Sequence, residues 1–207
     1  MNHLAHFKLA AGSADLLIGN MLADEVRGRL SDRFSPGIAA GIQLHRSSDA
    51  FTDAHPLVQA SHARFDKPYR RYGGIITDIV YDHFLARSWQ LYHTESLEDF
   101  CTRSLSEVLL HAHQLSESGL RRVKRMQANR SMEKYGSTAF IKRSFEYLSG
   151  KLKRDNPLAS GFTQFEKHAQ SLEADFTTFF PELMTFSNNW VELHTVQNYE
   201  STQLAQH

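Results

Sequence analysis

The sequence predicts an all-α protein, a single-domain helical bundle. Three observations carry this. No useful stretch alternates strictly between apolar and polar residues. Apolar residues recur instead at intervals of three and four, and Gly, Pro and Ser punctuate the periodic segments. No repeat, low-complexity tract or linker interrupts the 207 residues, a length that supports one good-sized core.

Residues 1–11 read as a first helix, ended by Gly12-Ser13. Residues 16–29 form a short apolar segment with charge at its end. Ser35-Pro36 starts the next helix, with Ser as cap and Pro in the first turn. That helix is expected to reach His55, because Pro56 disfavours continuing it. Gly73-Gly74 reads as a break, followed by a helix over 75–92 with Ile75, Ile79, Phe84 and Trp89 facing inward. Ser96 caps a helix whose stripe is Leu97, Phe100, Cys101, Leu105, Val108 and Leu109. Residues 119–127 are strongly basic, and 138–148 form a helix stopped by Gly150. After the Asn156-Pro157 turn, Phe162, Phe165, Ala169, Leu172, Phe176, Phe179 and Leu183 make the longest stripe. Pro181 is expected to kink or divide that helix, and the polar end over 191–207 to fray.

Composition narrows the class. The chain is 41% hydrophobic and 22% charged, with formal net charge zero, so charge gives no sign of nucleic-acid binding. The single cysteine, Cys101, excludes an intramolecular disulfide and reads as a core residue. There is no signal peptide and no apolar run long enough for a membrane span, so a cytoplasmic protein is expected. The neutral total hides an uneven distribution. Residues 1–120 carry 11 Lys/Arg against 14 Asp/Glu, 121–155 carry 11 against 3, and 156–207 carry 1 against 6. The basic band at 121–155 suits an acidic partner surface; alternatively it is an ordinary solvated face.

Four polar clusters fall within the first 90 residues. They are His3 and His6; Asn20, Asp24, Glu25 and Arg27; His45, Arg46, Asp49 and Asp53 within 42–55; and Asp78, Asp82 and His83. In a helix His45, Asp49 and Asp53 share one stripe, with Arg46 beside it. Asp78 and Asp82 also share a face, where two like charges call for a cation between them. Carboxylates with imidazoles in a bundle suit Mn²⁺ or Mg²⁺, and the near absence of cysteine argues against a thiolate zinc site. The plainer alternatives are local ion pairs, such as Asp24 with Arg27, and packed core histidines.

The four clusters, taken in order, also carry a resemblance. Asn-His-Leu-Ala-His-Phe-Lys-Leu-Ala, Gly-Asn-Met-Leu-Ala-Asp-Glu-Val-Arg-Gly, Gly-Ile-Gln-Leu-His-Arg-Ser-Ser-Asp-Ala-Phe-Thr-Asp and Asp-Ile-Val-Tyr-Asp-His-Phe-Leu-Ala-Arg-Ser-Trp resemble the acyl carrier protein phosphodiesterases. That family is regarded as an atypical branch of the HD phosphohydrolases, all-helical and metal-dependent. The resemblance implies His6, Asp24 and Asp78 or Asp82 as metal ligands. Ala23 stands where the HD pattern has a histidine, so His45, Asp49 or His83 is expected to compensate from another helix.

The implied reaction is hydrolysis of the phosphodiester joining 4′-phosphopantetheine to a serine of holo-acyl carrier protein, assisted by Mn²⁺ or Mg²⁺. Arg46, then Arg27, would stabilise phosphoryl charge, and His83 or His45 would protonate the leaving serine oxygen. The basic band, with Arg121, Arg122, Lys124 and Arg125, would dock the acidic carrier protein. Two other readings stay open: an HD-like phosphohydrolase acting on a small nucleotide or phosphomonoester, and a non-catalytic helical module that binds an acidic protein.

Overall fold

A computed structural model describes residues 1–30 and 33–204, with side chains described as far as His194. Among them are ten α-helices and no strand. The helices are α1 (His3–Leu9), α2 (Ala14–Leu22), α3 (Pro36–Ala54), α4 (Pro56–Arg64), α5 (Lys67–Arg70), α6 (Gly73–Arg87), α7 (Leu97–Leu110), α8 (Glu117–Asn129), α9 (Thr138–Lys151) and α10 (Phe162–Leu204).

Local chemistry sets most of the boundaries. The Ser13 side chain accepts from Leu16 N–H, Ser35 from Ile38 N–H and Ser96 from Asp99 N–H, so each satisfies a free donor in a first turn. Pro36 and Pro56 occupy first turns, where their missing N–H costs nothing. His55 ends α3 and caps α4 through its ring, which accepts from Leu57 N–H.

The centre of the molecule is α6. Ile76, Ile79, Val80, Tyr81, Phe84 and Leu85 are buried on nearly every side of it, as expected of a helix apolar all round. It packs against α1, α4, α9 and α10. The inward face of α10 supplies Phe165, Leu172, Phe176, Phe179, Phe180 and Leu183 to the same apolar cluster, which extends from Met1 to Leu183. No described helix is long and apolar enough to cross a membrane.

Four expectations change. Gly73 and Gly74 are the first residues of α6, and that helix ends at Arg87, before a separate short turn over Trp89–Leu91. The segment expected over 16–29 stops at Leu22, which leaves Asp24 and Glu25 in a turn. Pro181 does not divide α10, which runs 43 residues without a break. Pro181 and Thr177, whose carbonyl loses a partner, both lie on the exposed face. The buried Phe179, Phe180 and Leu183 outweigh the cost of about 3 kcal/mol. The backbone expected to fray from 191 remains helical to Leu204, and residues 205–207 lie outside the described set.

A close crossing of α2 and α3 positions the site. A Cβ on Gly19 would lie 2.6 Å from Gly41 Cα, and one on Gly41 would lie 2.6 Å from Leu16 O. Only glycine permits this approach, which brings Asn20 of α2 beside His45 of α3. Gly41→Ala is expected to cost about 1–3 kcal/mol by overpacking. It should also weaken divalent-metal binding, because the helices must separate. Urea unfolding alongside metal titration checks both effects.

Candidate metal centre

Side chains from α1 and α3 meet, with the turn after α2, at a pocket of about 350 Å³. His6 of α1 and His45 of α3 stack, with ring centroids 3.8 Å apart and planes 8° from parallel. Asp49, one turn after His45, reaches both rings. Its Oδ1 lies 3.1 Å from His6 Nε2, and its Oδ2 lies 3.2 Å from His45 Nε2. Asp24 Oδ1 lies 3.6 Å from the same His45 nitrogen.

Hydrogen bonds fix which way these groups point. Asn20 Nδ2 donates to Leu16 O at 3.1 Å, which turns Asn20 Oδ1 toward His45 Nδ1 at 3.1 Å. Nδ1–H of His45 therefore donates to Asn20, which leaves Nε2 as the ring nitrogen that faces Asp49 and Asp24. His6 is 4% exposed, and neither ring nitrogen has an aligned hydrogen-bond partner. Its close contact with Asp49 is out of line for a hydrogen bond. Ring nitrogens and carboxylate oxygens thus converge at one point. His6, His45 and Asp49 each offer an atom within 4.8 Å of the others. Two imidazoles and a carboxylate form a donor set suited to a borderline divalent ion.

Electrostatics act on His6, His3 and Asp49. Burial, followed by repulsion from His45, pushes His6 down to about 4. Burial and the Arg122 charge push His3 down to about 4 as well. Burial alone would raise the Asp49 carboxyl, but the His45 and His6 rings and the Met1 ammonium hold it below the usual carboxylate range.

The sign of the pH dependence follows from the depressed histidines. Above pH 6.5 both folded and unfolded states hold neutral rings. Between about 6.5 and 4 the unfolded chain takes up protons at these two histidines that the folded chain refuses, so their contribution to stability is lost as pH falls through that window, while Asp82, raised to about 7 by burial, works in the opposite sense. His6 alone is expected to contribute a loss on the order of 3 kcal/mol across that window. Urea unfolding from pH 7 to pH 4 measures it, and His6→Phe should flatten the slope.

The pocket also contains a group that spacing did not bring forward, the Met1 α-ammonium, beside others that it did. The Met1 α-ammonium lies 2.9 Å from Asp78 Oδ1 and 3.7 Å from Asp49 Oδ1, and His3, Asp53 and Asp78 complete the wall. Arg122 of α8 closes the edge. It donates to Asp24 Oδ2 at 3.0 Å, to Glu25 Oε1 at 2.6 Å and to Met21 O at 3.3 Å. Asp24 thus pairs with an arginine 98 residues away, not with Arg27.

Other expected site residues lie elsewhere. Asp82 is buried, and its oxygens accept from Leu4 N–H at 2.8 Å and Ala5 N–H at 3.3 Å. It therefore satisfies two free donors in the first turn of α1 and does not line the pocket. His83 is buried beside Phe84 and Phe165, with Nδ1 2.6 Å from Tyr135 O. It faces the core on the opposite side from the pocket's acids. Arg46 donates to Val26 O at 2.6 Å and holds the turn after α2, away from the pocket lining. Arg27 is exposed and also outside the lining. On α8, Arg121, Lys124 and Arg125 are exposed, and Arg121 pairs with Glu117 at 3.2 Å.

Together these features define an all-helical protein with a pocket lined by histidines and carboxylates. A sequence profile of the family described as acyl carrier protein phosphodiesterase matches residues 1–183. The chain belongs to that family. It is 37% identical to the acyl carrier protein phosphodiesterase of Yersinia pestis over 185 residues, 89% of this chain and 96% of the relative. It is 36% identical to that of Serratia proteamaculans and 31% to that of an Escherichia coli O6:K15:H31 strain, with the same coverage. No solved structure gives a significant match.

Proposed function

We propose that this protein hydrolyses the phosphodiester between 4′-phosphopantetheine and a serine of holo-acyl carrier protein, releasing apo-acyl carrier protein and 4′-phosphopantetheine. The convergence of His6 Nε2, His45 Nε2 and Asp49 in a polar pocket, in a chain of this family, carries the reading. These three residues would hold a divalent ion, Mn²⁺ in preference to Mg²⁺, because two imidazoles suit the softer cation. Such an ion supplies a nucleophilic water at neutral pH and draws charge from the phosphoryl oxygens.

The chain's own groups do the rest. Asp24 stands beside His45 Nε2, where it orients the attacking water, takes its proton and returns one to the departing serine oxygen. Arg122 reaches the pocket edge and binds the phosphoryl oxygens, the role expected of Arg46 from the sequence. Asn20 locks the His45 tautomer. The test is to incubate holo carrier protein with the enzyme and Mn²⁺ and follow the carrier by mass. Loss of the prosthetic group supports the reading; an unchanged mass under metal-replete conditions overturns it.

The exposed cations of α8 suit the acidic carrier protein as a docking surface. Arg121→Glu with Lys124→Glu is expected to raise KM for holo carrier protein about tenfold or more at low salt. Hydrolysis of bis(4-nitrophenyl) phosphate should change little. Equal effects on both substrates would favour a phosphohydrolase for small esters.

A further inference from the structure

Beside the metal pocket lies a second hollow of about 370 Å³, between α8 and α9. The two are continuous, since Asn2, His3 and Arg122 line both. The hollow has a different character. Met126, Phe140, Tyr147 and Leu148 give it apolar walls. Asn129, Ser131 and Ser144 set uncharged donors and acceptors among them. Arg125 and Arg143 are exposed at its rim. Its floor is fixed, because Asn2 Nδ2 donates to the buried Tyr135 hydroxyl at 2.6 Å. Tyr147, half exposed, forms its outer wall.

We infer that this groove is the binding site for the pantetheine arm of the substrate. The inference rests on the proposed phosphodiesterase activity and adds the place of the leaving prosthetic group. A phosphodiester held at His6, His45 and Asp49 must send two substituents out of the pocket. One is the carrier-protein serine. The other is an uncharged chain with a geminal dimethyl group, a hydroxyl and two amides. The groove offers that chain what it needs: apolar wall for the methyl groups, and amide and hydroxyl side chains for its polar atoms. Arg122 stands at the junction, where phosphate gives way to arm. The rim arginines find no partner on the uncharged arm and instead face the acidic protein that carries it.

The test reads binding without turnover. 4′-Phosphopantetheine and inorganic phosphate are each titrated calorimetrically into protein equilibrated with Mn²⁺. Wild type is expected to bind 4′-phosphopantetheine at least about tenfold more tightly than phosphate, a difference of about 1.4 kcal/mol. Ser144→Trp fills the groove and Tyr147→Ala removes its outer wall. Each should bring the two affinities within about threefold of each other. Tyr147→Ala alters a largely exposed side chain, so it reads the groove even where Ser144→Trp fails to fold. Equal affinities in wild type, or a ratio that survives both substitutions, would overturn the inference. Failure to release the prosthetic group from holo carrier protein would instead overturn the phosphodiesterase reading, whatever this ratio proves to be.

Discussion

His45→Ala is expected to lower kcat/KM for holo carrier protein on the order of 10³-fold or more, with the fold retained. A divalent ion bound there would supply several kcal/mol of charge stabilisation, and His45 would donate to it while stacking on His6. Mn²⁺ affinity should fall with activity. Asp49→Asn should behave alike, because it removes the carboxylate that touches both rings. Asn20→Ala is the graded case. It leaves every ligand in place but frees the His45 tautomer, with an expected loss of about 10–100-fold. Steady-state kinetics at saturating Mn²⁺, with thermal unfolding of each variant, separates these effects. Full activity in His45→Ala would remove it from the centre.

Asp82→Ala is expected to act on stability. Its carboxylate accepts two backbone N–H groups at the start of α1, and the residue is fully buried. Removing it leaves two buried donors without partners, at a cost of about 3 kcal/mol. Because α1 carries His6, weaker Mn²⁺ binding should follow as a consequence of fraying. Urea unfolding and activity measured together decide the order. A residue that caps α1 gives a lower midpoint, with activity recovering on cooling. A metal ligand gives an unchanged midpoint with activity lost at every temperature. Asp82→Asn keeps an acceptor and should cost less.

These two acids show what the sequence could and could not convey. His45 and Asp49 were legible because both lie on one helix, where a spacing of four fixes a shared face. Asp78 and Asp82 follow the same rule, yet one pairs with the Met1 ammonium and the other caps α1. Their partners lie more than 75 residues away, and no periodicity records a contact at that distance. The same holds for Arg122, which reaches Asp24 from α8 while the nearer Arg27 and Arg46 do not. The helices themselves were easier. Serine caps and first-turn prolines act within four residues, so Ser35-Pro36 and Ser96 placed α3 and α7 correctly. Pro181 misled because its effect depends on burial: on an exposed face, beside the buried Phe179, Phe180 and Leu183, a proline can sit inside an unbroken helix.

The proposed metal site at His6, His45 and Asp49 is open to direct measurement. Crystals soaked in Mn²⁺ and measured at the manganese absorption edge would locate the ion by its anomalous scattering. A peak among His6 Nε2, His45 Nε2 and the Asp49 carboxylate is the expected result. No peak there, or a peak held by Asp78 or Asp82 without either histidine, would contradict it.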